Sequence, residues 1–289
     1  MKYIEIFWQG MAGYANYLWN EITTPTWHNY FYWLIGLSLF VWMLEVFIPW
    51  RRNQAIIRKD FYLDVFYMFF NFFLFSLIGY NALSNVGVAL FSDALAQVGV
   101  TNLVAVNVSS WPIWGKFLLM FFLRDFIQWN VHRLLHKIPW MWEFHKVHHS
   151  VEEMGFAAHL RYHWMETVIY RFFEFIPLTL IGFGLTDFFW LHIFTITIGH
   201  FNHANVYLPI GPLKYVINTP QMHLWHHVEK LPEGHPDGIN YGISLSLWDY
   251  LFGTAVFPKV DKDLKLGFEH LSNFPKTWWD QIRYPWWKK

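Results

Sequence analysis

The sequence predicts an all-α, multi-span helical membrane protein that carries a histidine-rich dimetal site on the cytoplasmic side. Three observations lead to this fold class. Aromatic residues make up 22% of the 289 residues and charged residues only 15%, against about 25% charged residues in soluble domains. Several apolar stretches are long enough to cross a bilayer as helices. Half of the 16 histidines fall into three short clusters, and the chain has no cysteine.

The first predicted span is Phe31–Pro49, because about 20 apolar residues cross the hydrocarbon core of a bilayer as a helix. Its one charged residue, Glu45, lies near one end. Basic residues follow this span at Arg51, Arg52, Arg58 and Lys59. Positive charges favour the cytoplasmic side, so we expect this loop in the cytoplasm and the N-terminus outside. The opening residues lack the pattern of a cleaved signal peptide.

Three further apolar stretches follow. The second predicted span is Phe61–Tyr80, and the absence of Lys and Arg from Asp60 through Gly115 places Asn81–Trp111 outside. A weaker third span begins near Pro112 and passes through Phe117–Leu123. The stretch 168–199, which bends at 182–184, is predicted to form a helical hairpin, either as two full spans or as a re-entrant pair.

The remainder, from His200 to Lys289, is more polar and rich in turn residues, so we expect it on the cytoplasmic surface. No internal repeat or linker separates it from the rest. The sequence therefore predicts a single membrane-embedded domain over 1–289.

The histidine clusters predict the metal site. In a helix, residues three and four positions apart share a face, so each cluster aims its imidazoles at one point. Neutral imidazole suits iron, zinc, copper or nickel, and eight imidazoles divided between two ions leave positions open for water, dioxygen or substrate. The clusters are His132 and His136, then His145, His148 and His149, then His223, His226 and His227.

The other histidines receive separate predictions. His203 is the better ninth ligand, with His200 the alternative one turn earlier. His159 and His163 are an i, i+4 pair that we expect to hydrogen-bond to the ligands rather than to bind metal. Those without a neighbour at ligand spacing are expected to be structural: His28, His192, His235 and His270. Carboxylates near enough in sequence to orient the ligands are Asp125, Glu152, Glu153, Asp237 and Asp249.

At this point the sequence resembles the fatty acid hydroxylase/sterol desaturase superfamily of integral-membrane non-haem di-iron oxygenases, most closely its sterol desaturase and alkylglycerol monooxygenase branches. The resemblance covers about 112–258, which we take as the catalytic core. It implies ligand roles for the nine histidines named above, and supporting roles for Asp125, Asn240 and Tyr241. The motifs that carry it are RDFIQWNVHRLLH (124–136), WEFHKVHHS (142–150), FNHAN (201–205), TPQMHLWHH (219–227) and GINYGISLSLWDYLFGT (238–254).

The resemblance also implies two iron ions, for which zinc can substitute in purified samples, and an external electron source. That source is a cytochrome b5-like or ferredoxin donor, or tetrahydrobiopterin in the ether-lipid branch. Lys137 stands where that branch usually carries glutamate, and Gln128 and Trp129 stand near positions where relatives often have tyrosine. These departures argue against carrying over the substrate and the pterin dependence of the ether-lipid branch. They do not affect the predicted metal ligands.

The predicted function is O2-dependent hydroxylation or desaturation of a lipid or sterol C–H bond, by a non-haem di-iron, monooxygenase-type oxidoreductase. An ether-lipid monooxygenase and a histidine-rich metal transporter are the alternatives. Zero net charge disfavours a nucleic-acid partner, and no nucleophile motif or H-E-x-x-H occurs. Four basic residues near the site have two interpretations. They either dock an acidic electron-donor protein or only reflect the positive charge of cytoplasmic segments: Arg133, Lys137, Lys146 and Arg161.

Overall fold

The computed structural model describes residues 1–183, 185–257 and 261–286, with the backbone alone at 185–187. Helices form its regular structure, and no β-strand occurs among these residues. Gly184, at the predicted bend, and residue 258, at the end of the predicted core, lie outside them. The helices are α1 (Lys2–Thr23), α2 (Tyr30–Phe47), α3 (Phe61–Phe69), α4 (Asn81–Gln97), α5 (Ile113–Lys137), α6 (Pro139–His149), α7 (Trp164–Leu180), α8 (Leu185–His203), α9 (Pro220–His226), α10 (Leu247–Phe252) and α11 (Trp278–Arg283).

Two helices are long and apolar enough to cross a membrane within the described part of the chain, Tyr30–Phe47 and the continuous stretch Phe61–Gln97. The first agrees closely with the predicted span Phe31–Pro49, and the second begins at Phe61, as predicted. Helix α2 exposes Leu39, Phe40 and Met43, as expected for side chains that face lipid rather than water. The third span and the hairpin, which correspond to α5 and to α7 with α8, stay predictions.

The second predicted span continues further than the sequence indicated. After α3 the chain passes through two π-helical turns, Phe70–Leu74 and Ser76–Tyr80, and runs on as α4 to Gln97. Gly79 interrupts the helical geometry with φ 128°, a conformation that glycine adopts readily. The segment 81–97 is therefore helical, because this glycine redirects the helix instead of ending it, and the placement of Asn81–Trp111 outside stays a prediction.

Helix α1 was not predicted, and it packs alongside α4. Lys2 Nζ lies 2.6 Å from the Asp93 carboxylate. A Cβ added to Gly10 would lie 3.0 Å from the Ala82 Cα atom, so the two helices approach closely there. Because Lys2 meets the C-terminal half of α4 and Gly10 meets its start, the helices run antiparallel.

Glu45 connects the membrane helix α2 to the loops that surround the histidines. Its Oε1 accepts hydrogen bonds from the backbone N–H of Phe156 at 2.8 Å and of Asn205 at 2.7 Å. Asn205 Oδ1 in turn accepts from the backbone N–H of Arg51 at 2.8 Å. The single charge of the first span thus holds the segments that follow α6 and α8.

Buried ion pairs fix the segment between α6 and α7. Arg161 is 2% exposed and lies 3.2 Å from both Asp60 and Asp64, while Arg58 pairs with Asp64 as well. Arg161 also donates to Ser150 Oγ at 2.9 Å. The predicted use of Arg161 in docking a donor protein is therefore wrong, since its guanidinium is buried among these partners.

Candidate metal centre

The nine predicted ligands converge in two groups of buried or nearly buried imidazoles. Helices α5 and α6 present theirs at helical spacing, α8 contributes His203 from its last turn, and α9 supplies the last cluster with His227 at its end. Within each group, one ligand atom from each residue lies within 4.8 Å of all the others. The first group is His132, His136, His145, His149 and His226, and the second is His148, His203, His223 and His227.

In the first group, the hydrogen bonds of the Nδ1 atoms fix the tautomers. His132 Nδ1 lies 2.8 Å from the Tyr241 carbonyl oxygen, and His226 Nδ1 lies 2.7 Å from that of Ile239. His145 Nδ1 lies 2.8 Å from the Glu166 carboxylate. Because a carbonyl oxygen and an ionised carboxylate only accept, Nδ1 of His132 and His226 carries the proton, as does Nδ1 of His145 when Glu166 is ionised, and each Nε2 then presents a lone pair. Yet the Nε2 atoms of His132 and His145 are 3.1 Å apart.

The second group repeats this arrangement. His148 Nδ1 donates to the Arg161 carbonyl at 3.0 Å, and His203 Nδ1 donates to the Gly199 carbonyl at 2.8 Å. Their Nε2 atoms lie 3.3 Å apart. His223 Nε2 is 2.9 Å from His203 Nε2 and 3.1 Å from His227 Nε2. Four imidazole nitrogens therefore face one another.

A bound cation would account for the short distances between nitrogen atoms in both groups. Two neutral imidazoles cannot hydrogen-bond through two lone pairs, whereas two nitrogens bound to one ion at about 2.0–2.1 Å stand roughly 3.0–3.4 Å apart. Burial lowers the pKa of His223, His226 and His227 well below its usual value, which keeps them in the neutral form that binds metals. His136 Nε2 is also buried without a hydrogen-bond partner. The donor set fits an imidazole-bound metal pair.

Glu166 is the contact residue that the sequence analysis missed. It lies in the first turn of α7, where its Oε1 accepts from the backbone N–H of His163 at 3.3 Å while its Oε2 meets His145. The His163 side chain caps the same helix by accepting from the Met165 N–H at 3.1 Å. His163 Nε2 lies 3.0 Å from the carbonyl oxygen of Ile282. His163 thus anchors the turn that carries Glu166 and does not contact a ligand histidine itself.

Two carboxylates hold the segment 240–244, which follows the third histidine cluster. Asp249 accepts from the backbone N–H of Tyr241 at 2.9 Å, from that of Gly242 at 2.7 Å and from Trp129 Nε1 at 3.0 Å. This fixes the Tyr241 carbonyl on which His132 is oriented. Asp125, which lies on α5, accepts from the Ser244 N–H at 3.0 Å and so holds the same segment.

The other predicted supporting residues differ in how close they lie to the imidazoles. Asn240 Nδ2 donates to the Val256 carbonyl at 2.8 Å, so it ties two loops together. Glu152 and Glu153 contact Lys59 at the surface. Asp237 hydrogen-bonds His136 through its backbone. The influence of Asp125, His163 and Asn240 on metal binding stays a prediction.

Two remaining histidines adjoin the second group. His159 Nδ1 lies 3.0 Å from His200 Nδ1, and His200 Nε2 lies 3.2 Å from Ser38 Oγ on α2. His159 packs so closely against Gly199 that an added Cβ would come within 2.1 Å of its Nε2 atom. His200 is therefore a partner of His159 and is absent from both nitrogen groups.

The four histidines expected to be structural divide into two kinds. His28 packs against Phe189 and Trp190 at the start of α2, in keeping with that expectation. His192 differs, because it lines a cavity next to the metal centre. His235 and His270 belong to neither nitrogen group.

A cavity of about 190 Å³ adjoins both groups. At one end it is lined by His132, His145, His148 and His203, and away from them it is lined by both apolar and charged side chains. It gives a small reactant access to the nitrogens.

The molecule is thus an all-helical protein with apolar candidate membrane helices and a buried site of nine imidazoles. Residues 117–254 match the sequence model of the family Fatty acid hydroxylase, and this segment contains all nine histidines. This segment of the chain is a fatty acid hydroxylase domain.

Several curated proteins are similar in sequence to this chain. The chain is 35% identical to an ornithine lipid hydroxylase of Rhizobium tropici over 157 residues, which is 54% of this chain and 46% of the relative. It is 31% identical to the alkylglycerol monooxygenase of Xenopus tropicalis, covering 61% of this chain and 37% of the relative. The human alkylglycerol monooxygenase is 28% identical, with 59% and 39% covered. The chain spans less than half the length of these relatives, and no solved structure matches it.

Proposed function

We propose that the protein is a membrane-bound, O2-dependent oxidoreductase that hydroxylates a C–H bond of a lipid at a di-iron centre. The observation that carries this proposal is the pairing of lone-pair nitrogens at 3.1 Å and 3.3 Å in two adjacent groups. An all-nitrogen site without thiolate suits iron, and zinc can occupy the same ligands. The alkylglycerol monooxygenases and the ornithine lipid hydroxylase support lipid as the substrate.

The reaction has a defined balance. One C–H bond of the lipid breaks, one oxygen atom of O2 enters as a hydroxyl group, and the other leaves as water. Two electrons and two protons complete the balance. The chain has no cysteine for an iron–sulfur cluster, so an external donor of the cytochrome b5 or ferredoxin class, or a reduced pterin, supplies the electrons.

Iron bound in the two groups would supply the O2 chemistry, and the chain's residues determine its environment. Five imidazoles would hold one ion and four the other. Glu166 and the carbonyls of Tyr241, Ile239 and Arg161 keep the ligand Nδ1 atoms protonated, so that the Nε2 atoms stay directed at the metals. Burial of these groups excludes bulk water, and the adjoining cavity admits the substrate.

The metal-transporter alternative has less support. A transporter requires ionisable residues along a route through its spans. In the two candidate spans of the described chain, Glu45 bonds two backbone N–H groups, Asp64 is paired with two arginines and Asp93 is paired with Lys2. All three carboxylates therefore have structural partners.

We further propose that the metal centre and the C-terminal segment face the cytoplasm, where a donor protein docks. Lys137 is exposed there, while Lys146 is paired with Glu143 at 2.6 Å and Arg133 covers the Trp129 ring at 4.6 Å. Among the basic residues considered for docking, Lys137 is thus the one most open to a partner.

The test uses the full chain in lipid nanodiscs, loaded with iron and given an electron donor and 18O2. We expect oxidised lipid that carries one 18O atom, and loss of that product when iron is removed. A product lacking two hydrogens would indicate desaturation, and an aldehyde would indicate ether cleavage. Iron-loaded protein that consumes no O2 with ornithine lipid, alkylglycerol or phospholipid would overturn the proposal.

A further inference from the structure

The C-terminal part of the chain carries a cluster of exposed apolar side chains. They come from two segments, the helical turn Gly211–Tyr215 with the residue after it, and helix α10. Ser246 Oγ donates to the Lys214 carbonyl oxygen at 2.7 Å, and the Leu247 N–H donates to that of Val216 at 3.3 Å, so the two segments lie side by side. We call these exposed side chains the apolar patch: Leu213, Tyr215, Val216, Leu251 and Phe252.

The apolar patch differs from the rest of the surface in this part of the chain. Leu213 is 56% exposed and Leu251 is 64% exposed, whereas the acidic residue of α10, Asp249, is buried against the segment 240–244. An exposed cluster of large apolar side chains is typical of a contact with a membrane or with another protein. The loops 229–237 and 261–270, by contrast, expose charged side chains: Lys230, Glu233, Asp237, Lys262, Asp263, Lys265 and Glu269.

The apolar patch continues the exposed apolar face of α5, the third predicted span. Leu118 and Phe122 are exposed on this face, and Phe126 follows on the same face one turn later. The Phe126 ring lies 4.8 Å from the Trp248 ring and 6.1 Å from the Phe252 ring. Helix α10 therefore packs beside α5 directly beyond the exposed Phe122, where the apolar stretch of α5 ends.

A second connection joins the segment before the patch to the end of α2. Pro49 pairs with Val206 in an isolated antiparallel bridge, and the rings of Trp50 and Tyr207 lie 5.9 Å apart. Helix α2 is one of the two candidate membrane helices in the described part of the chain, so Tyr207 lies at the level where this helix ends. The chain therefore enters the patch from the boundary of the membrane.

The chemistry of the patch also suits a lipid surface. Lys214 is half-buried, and its Nζ lies 5.3 Å from the centre of the Tyr215 ring and 5.6 Å from that of Phe257. Lysine side chains lie along apolar surface in this way while the ammonium group stays in the polar layer, and tyrosine is enriched where hydrocarbon meets water. A bilayer would contact the patch, the exposed face of α5 and the end of α2 together.

We propose that the apolar patch lies in the head-group layer of the bilayer, in the leaflet where α2 ends. This refines the expectation that the part of the chain after His200 lies on the cytoplasmic surface. Helix α10 then separates the lipid from the site, because Leu251 contacts lipid while Asp249 holds the Tyr241 backbone whose carbonyl orients His132. A helix is about 10–12 Å across, so lipid lies roughly that far from the segment that orients this imidazole.

Quenching of a fluorescent probe by labelled lipids tests the depth of the patch. The chain has no cysteine, so Leu213→Cys and Leu251→Cys can each carry one nitrobenzoxadiazole probe in full-length protein in phosphatidylcholine nanodiscs. We expect blue-shifted emission, strong quenching by a lipid with a nitroxide in its head group, and weak quenching by iodide in the water. Leu39→Cys, exposed on α2, is the control for lipid contact, and Lys230→Cys is the control for water.

Two results would overturn the inference. Probes at both patch positions that iodide quenches as strongly as the probe of Lys230→Cys would place the patch in water. Probes that are protected from both iodide and the nitroxide lipid would show that a second copy of the chain covers the patch.

A further variant tests whether the two segments form one membrane contact. Leu251→Asn combined with Phe252→Asn should increase the quenching by iodide of the probe in Leu213→Cys, because the neighbouring segment loses apolar surface that anchors it in the bilayer. Leu231→Asn, which changes an exposed leucine in the loop 229–237, is the matched control and should have no effect. An unchanged depth at Leu213→Cys in the double variant would contradict a shared contact.

These measurements need no iron, substrate or turnover, so this inference and the proposed function can fail separately. If the protein oxidises no lipid, the depth of the patch is unaffected. If the patch lies in water, the oxygenase proposal stands and only the membrane contact is wrong.

Discussion

The Nε2 atoms of His148 and His203 lie 3.3 Å apart, while the Nδ1–H group of each ring donates to a backbone carbonyl. The two carbonyls belong to Arg161, in the segment before α7, and to Gly199, in α8. The backbone thereby selects the tautomer that leaves the facing nitrogens without a proton. His132 and His145 make the same Nε2 contact at 3.1 Å, with the Tyr241 carbonyl and the Glu166 carboxylate as the partners of their Nδ1 atoms.

The first prediction concerns metal stoichiometry. His226→Ala and His148→Ala each remove one imidazole from a different group, so each variant should retain one ion in the intact group and lose or weaken the other. Elemental analysis of iron-loaded protein should fall from two ions per chain towards one, and lipid turnover should fall with it. His28→Ala is the control and should keep both ions. Two tightly bound ions in either ligand variant would contradict the assignment.

A second prediction concerns Glu166. Replacing it by alanine leaves the His145 Nδ1–H without its acceptor, and loss of such a partner typically weakens metal binding by about 10–100-fold. Glu166→Gln keeps an acceptor oxygen and should lose less. Competition with a chelator measures the metal Kd, with Glu153→Gln, at the surface beside Lys59, as the matched control. Unchanged affinity in Glu166→Ala would show that His145 needs no carboxylate.

The third prediction concerns Gly199. An alanine in a helix interior is ordinarily favourable by about 1 kcal/mol over glycine, but here the Cβ would enter the His159 ring. We expect Gly199→Ala to destabilise the protein by about 1–3 kcal/mol, as overpacking does, and to lower turnover. Gly13→Ala on α1, where an added Cβ meets nothing within 4 Å, should be neutral or stabilising. Thermal unfolding in detergent compares the two, and equal Tm values would refute the close packing.

The fourth prediction concerns topology. A cysteine-free chain allows single cysteines to be labelled without background. Lys137→Cys should react with an impermeant thiol reagent only from the cytoplasmic side. Thr101→Cys, in the exposed segment after α4, should react only from the other side. Labelling of both from one side would refute the proposed arrangement.

Local spacing was enough to indicate which histidines of each cluster come together, because i, i+3 and i+4 positions determine which imidazoles share a helix face before any tertiary contact is known; their role as metal ligands stays a prediction. Glu166 was not predicted as the partner of His145, because it lies 17 residues after His149 and reaches His145 only through the packing of α7. His163 and Glu166 are three residues apart, as in a helix capping box. This spacing is the sequence pattern that could have indicated Glu166.

The membrane segments were predicted less completely. Hydropathy located α2 and the start of the second span, since those depend on composition. It missed α1 and the continuation to Gln97, because α1 is held by packing against α4 and because the sequence alone did not indicate that Gly79 redirects the helix. The ion pair between Arg124 and Glu174 was likewise invisible, since its partners lie on different helices.

The hydrogen bond from His163 Nε2 to the Ile282 carbonyl joins residues 119 positions apart, and this has a consequence for the order of events during biosynthesis. The turn that supports His145 gains its last anchor only when the segment around Ile282 has left the ribosome. Stable metal loading is therefore expected only after the segment around Ile282 has been synthesised, although all nine histidines precede it.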